Sequence, residues 1–217
     1  ARMKEGQEAI YYMTGPSVAA VEQSPHLEAF REKGDEVLFF TDPIDELWLR
    51  LPRELDGKRL VSVAKADLQV GSEEEKQRAE EARKESEDSL RDVLTVLRAK
   101  LQDEVKDVRL SSRLTESPAC LVGEPGDLSP QMQELLRRAG QEVPKVKRIL
   151  ELNPTHPIVT TLRQLHATDA SDPRLALYAE VLYGQAILAE GGLLPDPAAF
   201  SRRLTELMLQ AGPQTGA

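Results

Sequence analysis

Residues 172–210 read DPRLALYAEVLYGQAILAEGGLLPDPAAFSRRLTELMLQ, and this stretch carries the strongest structural signal in the chain. An Asp-Pro pair opens each half, which places an aspartate at the helix N-cap and a proline in the first turn. Gly191 closes the first half and Gly212 follows the second. The sequence therefore predicts helices over 172–190 and 196–210, joined as an antiparallel hairpin.

The first of these helices is apolar around most of its circumference, which indicates that it is covered on more than one side. The stripes at helical spacing consist of Leu175, Tyr178, Val181, Leu182, Gln185 and Leu188 in the first helix, and Phe200, Leu204, Leu207 and Met208 in the second. Hairpins from two copies would form a four-helix bundle, and these ten residues are the predicted dimer interface. The alternative is that both helices pack on strands of their own domain, and periodicity does not choose between the two.

The first 70 residues alternate between strand and helix signals. Strands are predicted at 8–13, 36–41 and 60–63, and helices at 18–21, 26–33 and 44–51. This order is typical of a small α/β unit with a parallel strand pair. We therefore predict an α+β chain whose first domain covers residues 1–70.

A charged segment follows this unit. Residues 73–92 contain nine acids and five bases, and acid-first pairs at four-residue spacing favour an exposed helix. The expected pairs are Glu74–Arg78, Glu80–Lys84 and Glu87–Arg91. An apolar stripe then begins at Leu90, Val93, Leu94, Leu97, Leu101 and Val105. We predict a solvated connector that becomes a packed helix, over residues 71–105.

The remaining residues, 106–217, are predicted to form a mixed α/β domain that ends in the helical hairpin. Its strands are expected at 108–110, 119–122 and 145–152, and its other helices at 129–138 and from Asn153-Pro154 to about Leu165.

Charge and composition exclude several functions. The net charge is -9 and the pI is about 5.0, so we expect neither nucleic acid nor a membrane surface as a partner. The single cysteine, Cys120, favours a reducing, cytoplasmic compartment. His26, His156 and His166 have no metal-ligand spacing, and no catalytic motif is present, so we expect no metal, no cofactor and no catalytic residue. The polar, Met-less start resembles no signal peptide and suggests a fragment of a longer protein.

Ordered motifs over nearly the whole chain resemble the heat-shock protein 90 chaperone family. They are Arg2-Met3-Lys4-Glu5, Ile10-Tyr11-Tyr12-Met13-Thr14-Gly15, Ser24-Pro25-His26-Leu27-Glu28, Lys33-Gly34-Asp35-Glu36-Val37-Leu38, Asp42-Pro43-Ile44-Asp45-Glu46, Asp56-Gly57-Lys58, Val108-Arg109-Leu110-Ser111-Ser112-Arg113-Leu114 with Ser117-Pro118, Glu151-Leu152-Asn153-Pro154-Thr155-His156-Pro157 and the Asp196-Pro197 helix. The chain looks like the bacterial, HtpG type, since its ending lacks the acidic peptide of eukaryotic cytosolic members. Pro16 departs from the family, which usually has an acid there.

The resemblance implies the last part of the middle domain followed by the C-terminal dimerisation domain. It also implies a homodimer and unfolded or partly folded client proteins as partners. ATP and Mg²⁺ would bind in an N-terminal domain of the parent, so this chain would be no enzyme. The segment Ser129 to Arg138 resembles the client-contacting helix, with Met132, Leu135 and Leu136 as its apolar side chains. The same three residues at helical spacing are also compatible with packing on the chain's own core.

A second hypothesis comes from the strand and helix order of the first unit. It makes the chain a small nucleotide-binding α/β enzyme domain with a helical appendage. That hypothesis needs a glycine-rich loop between a strand and a helix, and none follows 10–13 or 37–40.

Overall fold

The computed structural model describes residues 3–4, 7, 9–49, 54–65, 73–143 and 146–211. Within these ranges the strands form two sheets, one in each half of the chain. The residues 9–65 that are described are called the N-terminal unit, and those from 73 to 211 the C-terminal unit. No helix in the described ranges is long and apolar enough to cross a bilayer.

The N-terminal unit is a four-stranded sheet with short helices. Its elements are β1 (Ala9–Thr14), α1 (Val18–Glu22), a 3₁₀ turn (Pro25–Leu27), α2 (Glu28–Lys33), β2 (Val37–Phe40), α3 (Pro43–Trp48), β3 (Glu54–Leu55) and β4 (Lys58–Ser62). The strand order is β2-β1-β4-β3, and β1 is parallel to both neighbours. The sheet and helices enclose a small core of Met13, Val21, Leu27, Phe30 and Val63.

Local sequence explains these boundaries. The side chain of Ser17 caps α1, and Asp42 forms a capping box with Asp45 at the start of α3. Gly34 ends α2 with φ 65°, the left-handed conformation that favours glycine. The predicted helix over 26–33 begins instead as the 3₁₀ turn, and α3 ends at Trp48 rather than Leu51, which lies outside the described residues. The β3–β4 hairpin at Asp56-Gly57 was not predicted, although Asp-Gly is a strong turn signal.

The connector is one continuous helix, α4 (Glu73–Leu101). Two ion pairs of Arg83 stabilise its charged first part: the guanidinium lies 2.7 Å from the Glu80 carboxylate and 3.2 Å from that of Glu87. The predicted Glu80–Lys84 pair is present at 3.8 Å, whereas Arg91 pairs with Asp88 and not with the predicted Glu87. The predicted stripe from Leu90 to Leu101 is buried, together with Val105 beyond the helix end.

The C-terminal unit contains a three-stranded sheet packed against helices. Its further elements are β5 (Asp107–Leu110), β6 (Ala119–Val122), α5 (Pro130–Arg138), β7 (Ile149–Leu152), α6 (Pro157–Thr168), α7 (Pro173–Ala189) and α8 (Pro197–Ala211). Strand β7 is central, parallel to β5 and antiparallel to β6. The main core joins α4, these strands, α6 and α7.

Two predicted boundaries in this unit are wrong or outside the described residues. Helix α6 begins at Pro157 behind His156, not at Pro154, because the side-chain Oδ1 of Asn153 accepts from the backbone N–H and the hydroxyl of Thr155 in a local turn. Strand β7 begins at Ile149, and the predicted start at residue 145 lies outside the described residues. A mixed α/β chain with helices and two mixed sheets is confirmed. The division at 1–70, 71–105 and 106–217 and the four-helix bundle stay predictions.

Candidate dimerisation and client-contacting surfaces

The structure divides the predicted dimer stripe of α7 between the core and the surface. Leu175 and Leu182 are each 1% exposed and belong to the main core, because α7 lies between α4 and β6. These two residues therefore complete the core of their own chain, and their place in a dimer interface stays a prediction. Val181 is also buried, and Tyr178 is half-buried against the same core. Gln185 and Leu188 lie on the surface.

Helix α8 places most of its apolar side chains in solvent. Leu204 is 37% exposed and Met208 67%, while Phe200 and Leu207 are half-buried. Two further apolar side chains, which were not predicted to be exposed, are Leu193 in the α7–α8 connection and Leu209 in α8, at 86% and 77%. We call Leu188, Leu193, Leu204, Met208 and Leu209 the hairpin face. The sequence does carry a signal for Leu209. Three consecutive apolar residues, Leu207-Met-Leu209, cannot all lie on one narrow face of a helix, so at least one of them lies outside the predicted stripe.

One close contact and one ion pair hold α8 on α7. The Phe200 ring lies over Gly184, where a Cβ atom would come within 2.4 Å of the ring. Arg203 of α8 pairs with Glu180 of α7. These contacts orient α8 so that the hairpin face stays uncovered within one chain.

The three predicted client-contacting residues differ in exposure. Met132 is 1% exposed and is therefore covered within the chain, and its role as a client contact stays a prediction. Its side chain points inward because α5 packs along α3, where the Ser129 hydroxyl donates to Glu46 at 2.6 Å. Leu135 and Leu136 are half-buried and remain accessible in part.

Helix α3, which packs beside α5, carries an apolar surface that the sequence analysis missed. Ile44, Leu47 and Trp48 are 61%, 49% and 44% exposed. Their positions at i, i+3 and i+4 are a usable signal for one helix face. The acids of the same helix were explained by its capping pattern, which gives no information about the apolar face. Residues Ile44, Leu47 and Trp48 are called the α3 face.

A cleft of about 820 Å³ lies between α3, α5 and the end of α7. Its lining includes Phe40, Glu46, Leu121, Leu135 and Ile187. Tyr183 also lines it and donates to Glu104 over 3.2 Å. Burial and the neighbouring Glu104 charge raise the pKa of Tyr183 to about 12, so the hydroxyl stays protonated at neutral pH. The cleft therefore combines apolar walls with a tyrosine hydroxyl that is already hydrogen-bonded.

No catalytic arrangement emerges from the described residues. Among them, no group of three or more His, Cys, Asp or Glu side chains could hold a metal ion. Cys120 is buried, and burial raises its pKa well above the usual range, which keeps the thiol protonated and unreactive. Gly15 follows β1, yet a Cβ there would lie 2.4 Å from the Val21 side chain. That glycine therefore allows α1 to pack closely against the end of β1.

Comparison with known proteins identifies the class to which this architecture belongs. The family model described as "Hsp90 protein" matches residues 1–213, so the chain belongs to the Hsp90 family. Its relatives include proteins named "Chaperone protein HtpG". The one from Frankia casuarinae is 51% identical over 210 residues, which is 97% of this chain and 32% of the relative. Those from Rhodococcus jostii and Mycobacterium tuberculosis H37Rv are 52% and 53% identical, with 94% of this chain and 32% of each relative covered. The chain thus spans about a third of the length of these relatives.

Proposed function

We propose that the chain is the part of an HtpG-type chaperone that joins two copies and contacts unfolded clients in the cytoplasm. The hairpin face is the observation that carries the proposal, since five large apolar side chains stay uncovered in one chain. Catalysis belongs to the rest of the parent, where ATP and Mg²⁺ would bind, and this chain needs no cofactor of its own. Neither nucleic acid nor membrane is a proposed partner, in keeping with the net charge of -9.

The proposed dimer contact is the hairpin face of one copy against the same face of a second copy. A two-fold axis brings equivalent patches together, so every apolar residue of the face contributes twice. Complete burial of a leucine or methionine side chain contributes roughly 1.5–3 kcal/mol. The loss of translational and rotational freedom on association costs about 4–15 kcal/mol of free energy. Close packing of the two hairpin faces offsets that cost.

Solution mass over a wide concentration range tests the dimer. We expect the 217-residue chain to behave as a dimer, and Met208→Ser with Leu209→Ser to shift it toward monomer with at least a ten-fold weaker association. Leu55→Ser is the control, because Leu55 is also an exposed apolar side chain but lies in β3 of the N-terminal unit. A wild-type chain that remains monomeric at high concentration contradicts the proposal. Point substitutions are preferred to removal of α7, because Leu175 and Leu182 complete the core.

The proposed client surface consists of the α3 face together with Leu135 and Leu136 of α5. Apolar side chains exposed on two neighbouring helices suit segments that unfolded proteins expose. Met132 supports this surface from beneath, since it is buried where α5 packs along α3.

Binding of a fluorescently labelled, permanently unfolded protein tests the client surface. We expect Leu47→Ser with Trp48→Ser to weaken binding several-fold while the dimer mass is unchanged. Leu38→Ser is the control, because Leu38 is 40% exposed on the edge strand β2. Equal binding by the wild type and the α3 variant would overturn this assignment.

A further inference from the structure

A buried carboxylate of the N-terminal unit binds the backbone of the C-terminal unit. Glu28, the first residue of α2, is 9% exposed. Its Oε2 accepts from the backbone N–H groups of Thr115 at 2.7 Å and Glu116 at 2.9 Å, and its Oε1 accepts from Ser117 at 3.0 Å. These three donors lie between β5 and β6 and belong to no helix or strand. The carboxylate therefore accepts the backbone hydrogen bonds that a neighbouring strand or helical turn would otherwise accept.

The reverse contact comes from the same segment. Arg113 is 4% exposed, and its Nη1 donates to the backbone carbonyls of Val63 at 3.0 Å and Lys65 at 2.9 Å. Both carbonyls directly follow β4 in the N-terminal unit. Each unit thus supplies one charged side chain and receives the other on its backbone.

A second carboxylate holds Arg113 in place. Glu151 in the central strand β7 accepts from Arg113 Nη2 at 3.1 Å, from Arg109 at 2.7 Å and from the Ser111 hydroxyl at 3.0 Å. Burial would raise the pKa of Glu151, but the charges of Arg113 and Arg109 more than offset it and the pKa lies below its usual range. The Glu151 carboxylate is therefore ionised, and it orients the guanidinium toward the other unit.

Backbone contacts extend the same junction. The Gly123 N–H donates to the Ala64 carbonyl at 3.1 Å, and the Lys65 ammonium donates to the carbonyls of Glu124 and Asp127 at 2.9 and 2.8 Å. Because most partners on both sides are main-chain atoms, the contacts require a particular arrangement of the two backbones.

We propose that Glu28 and Arg113 are positioning residues that lock the two units at one fixed angle, with Glu151 orienting Arg113. Separation of the units would remove the three backbone donors of the Glu28 carboxylate and the two carbonyl acceptors of Arg113 until water entered, so both contacts open together. The lock sets how α3 of one unit faces α5 of the other. It is independent of dimerisation and of client binding, and it remains testable if either proposal fails.

Amide hydrogen exchange in the 217-residue chain tests the Glu28 contact. We expect residues 115–117 to exchange slowly in the wild type, and at least ten-fold faster in Glu28→Gln while β6 is unaffected. Glu32→Gln is the matched control, since Glu32 is exposed on the same helix. Wild-type exchange at 115–117 as fast as in an unstructured peptide overturns the proposal, whether or not the variant folds.

Distance measurement by pulsed electron spin resonance tests the angle itself. Labels at Glu32→Cys and Arg163→Cys report on α2 and α6, and the native Cys120 is buried. An excess of unlabelled chain removes distances between copies. We expect one narrow distance distribution for the wild type and for the Arg202→Met control, and a broadened one for Arg113→Met and for Arg113→Lys, which keeps the charge but loses the forked geometry. A distribution that stays equally narrow in a folded Arg113 variant overturns the lock.

Discussion

Helices α7 and α8 carry similar apolar patterns and occupy different environments. Eight residues of α7 are buried, and three of them in the main core are Leu175, Ala179 and Leu182. Helix α8 has no fully buried side chain among its described residues, and Met208 and Leu209 are more than half exposed. An apolar stripe therefore predicts that a helix face is buried, but it does not identify the element that covers the face. Helix α7 is buried within its own unit, whereas the exposed side chains of α8 would be covered in the proposed dimer.

The largest expected effect comes from a matched pair of leucines. Leu182→Ala in α7 should lower the free energy of unfolding by about 2–5 kcal/mol, because it leaves a cavity in a closed core. Leu209→Ala in α8 should change it by less than about 0.5 kcal/mol at a concentration where the chain is monomeric. Denaturant unfolding of both variants checks this pair. Equal losses would mean that α8 is as much part of the core as α7.

A smaller effect is expected where the two helices touch. Gly184→Ala places a methyl group against the Phe200 ring, and the resulting overpacking should cost about 1–3 kcal/mol. The control is Gly123→Ala, where the added Cβ would meet no atom closer than 3.6 Å. Unfolding and proteolysis of α8 are the measurements. An unchanged Gly184→Ala chain would show that the ring moves aside freely.

The smallest expected effect concerns the hydrogen bond between Tyr183 of α7 and Glu104. Its Tyr183 donates to Glu104, and the pKa of Tyr183 is raised from 10.0 to about 12 by burial and the Glu104 charge. Since the folded chain favours the neutral hydroxyl, this contribution to stability is complete below pH 10 and is lost as pH rises toward 12. Tyr183→Phe should lack that alkaline loss. Unfolding at several alkaline pH values, followed with tyrosinate absorbance, checks it, and identical profiles would count against the Glu104 contact.

Local signals predicted much of the secondary structure but little of the junction between the units. Asp42, Ser129 and Asp172 cap helices as expected, because capping depends on neighbouring residues alone. Glu28 and Arg113 had no local signal, since their partners lie 87 and 50 positions away along the chain. In the sequence both residues stand within motifs of the Hsp90 family, and the motifs assign them no role.

The sequence alone determined the caps, the helical hairpin, the change from a solvated to a packed connector and the resemblance to the Hsp90 family. These depend on short-range geometry, helical periodicity or ordered motifs. The tertiary structure alone decided that Leu182 and Met132 face inward, that Leu209 and Trp48 face outward, and that Glu151 is paired. Periodicity defines a face relative to its own helix axis, and the packing of distant elements determines which face is covered.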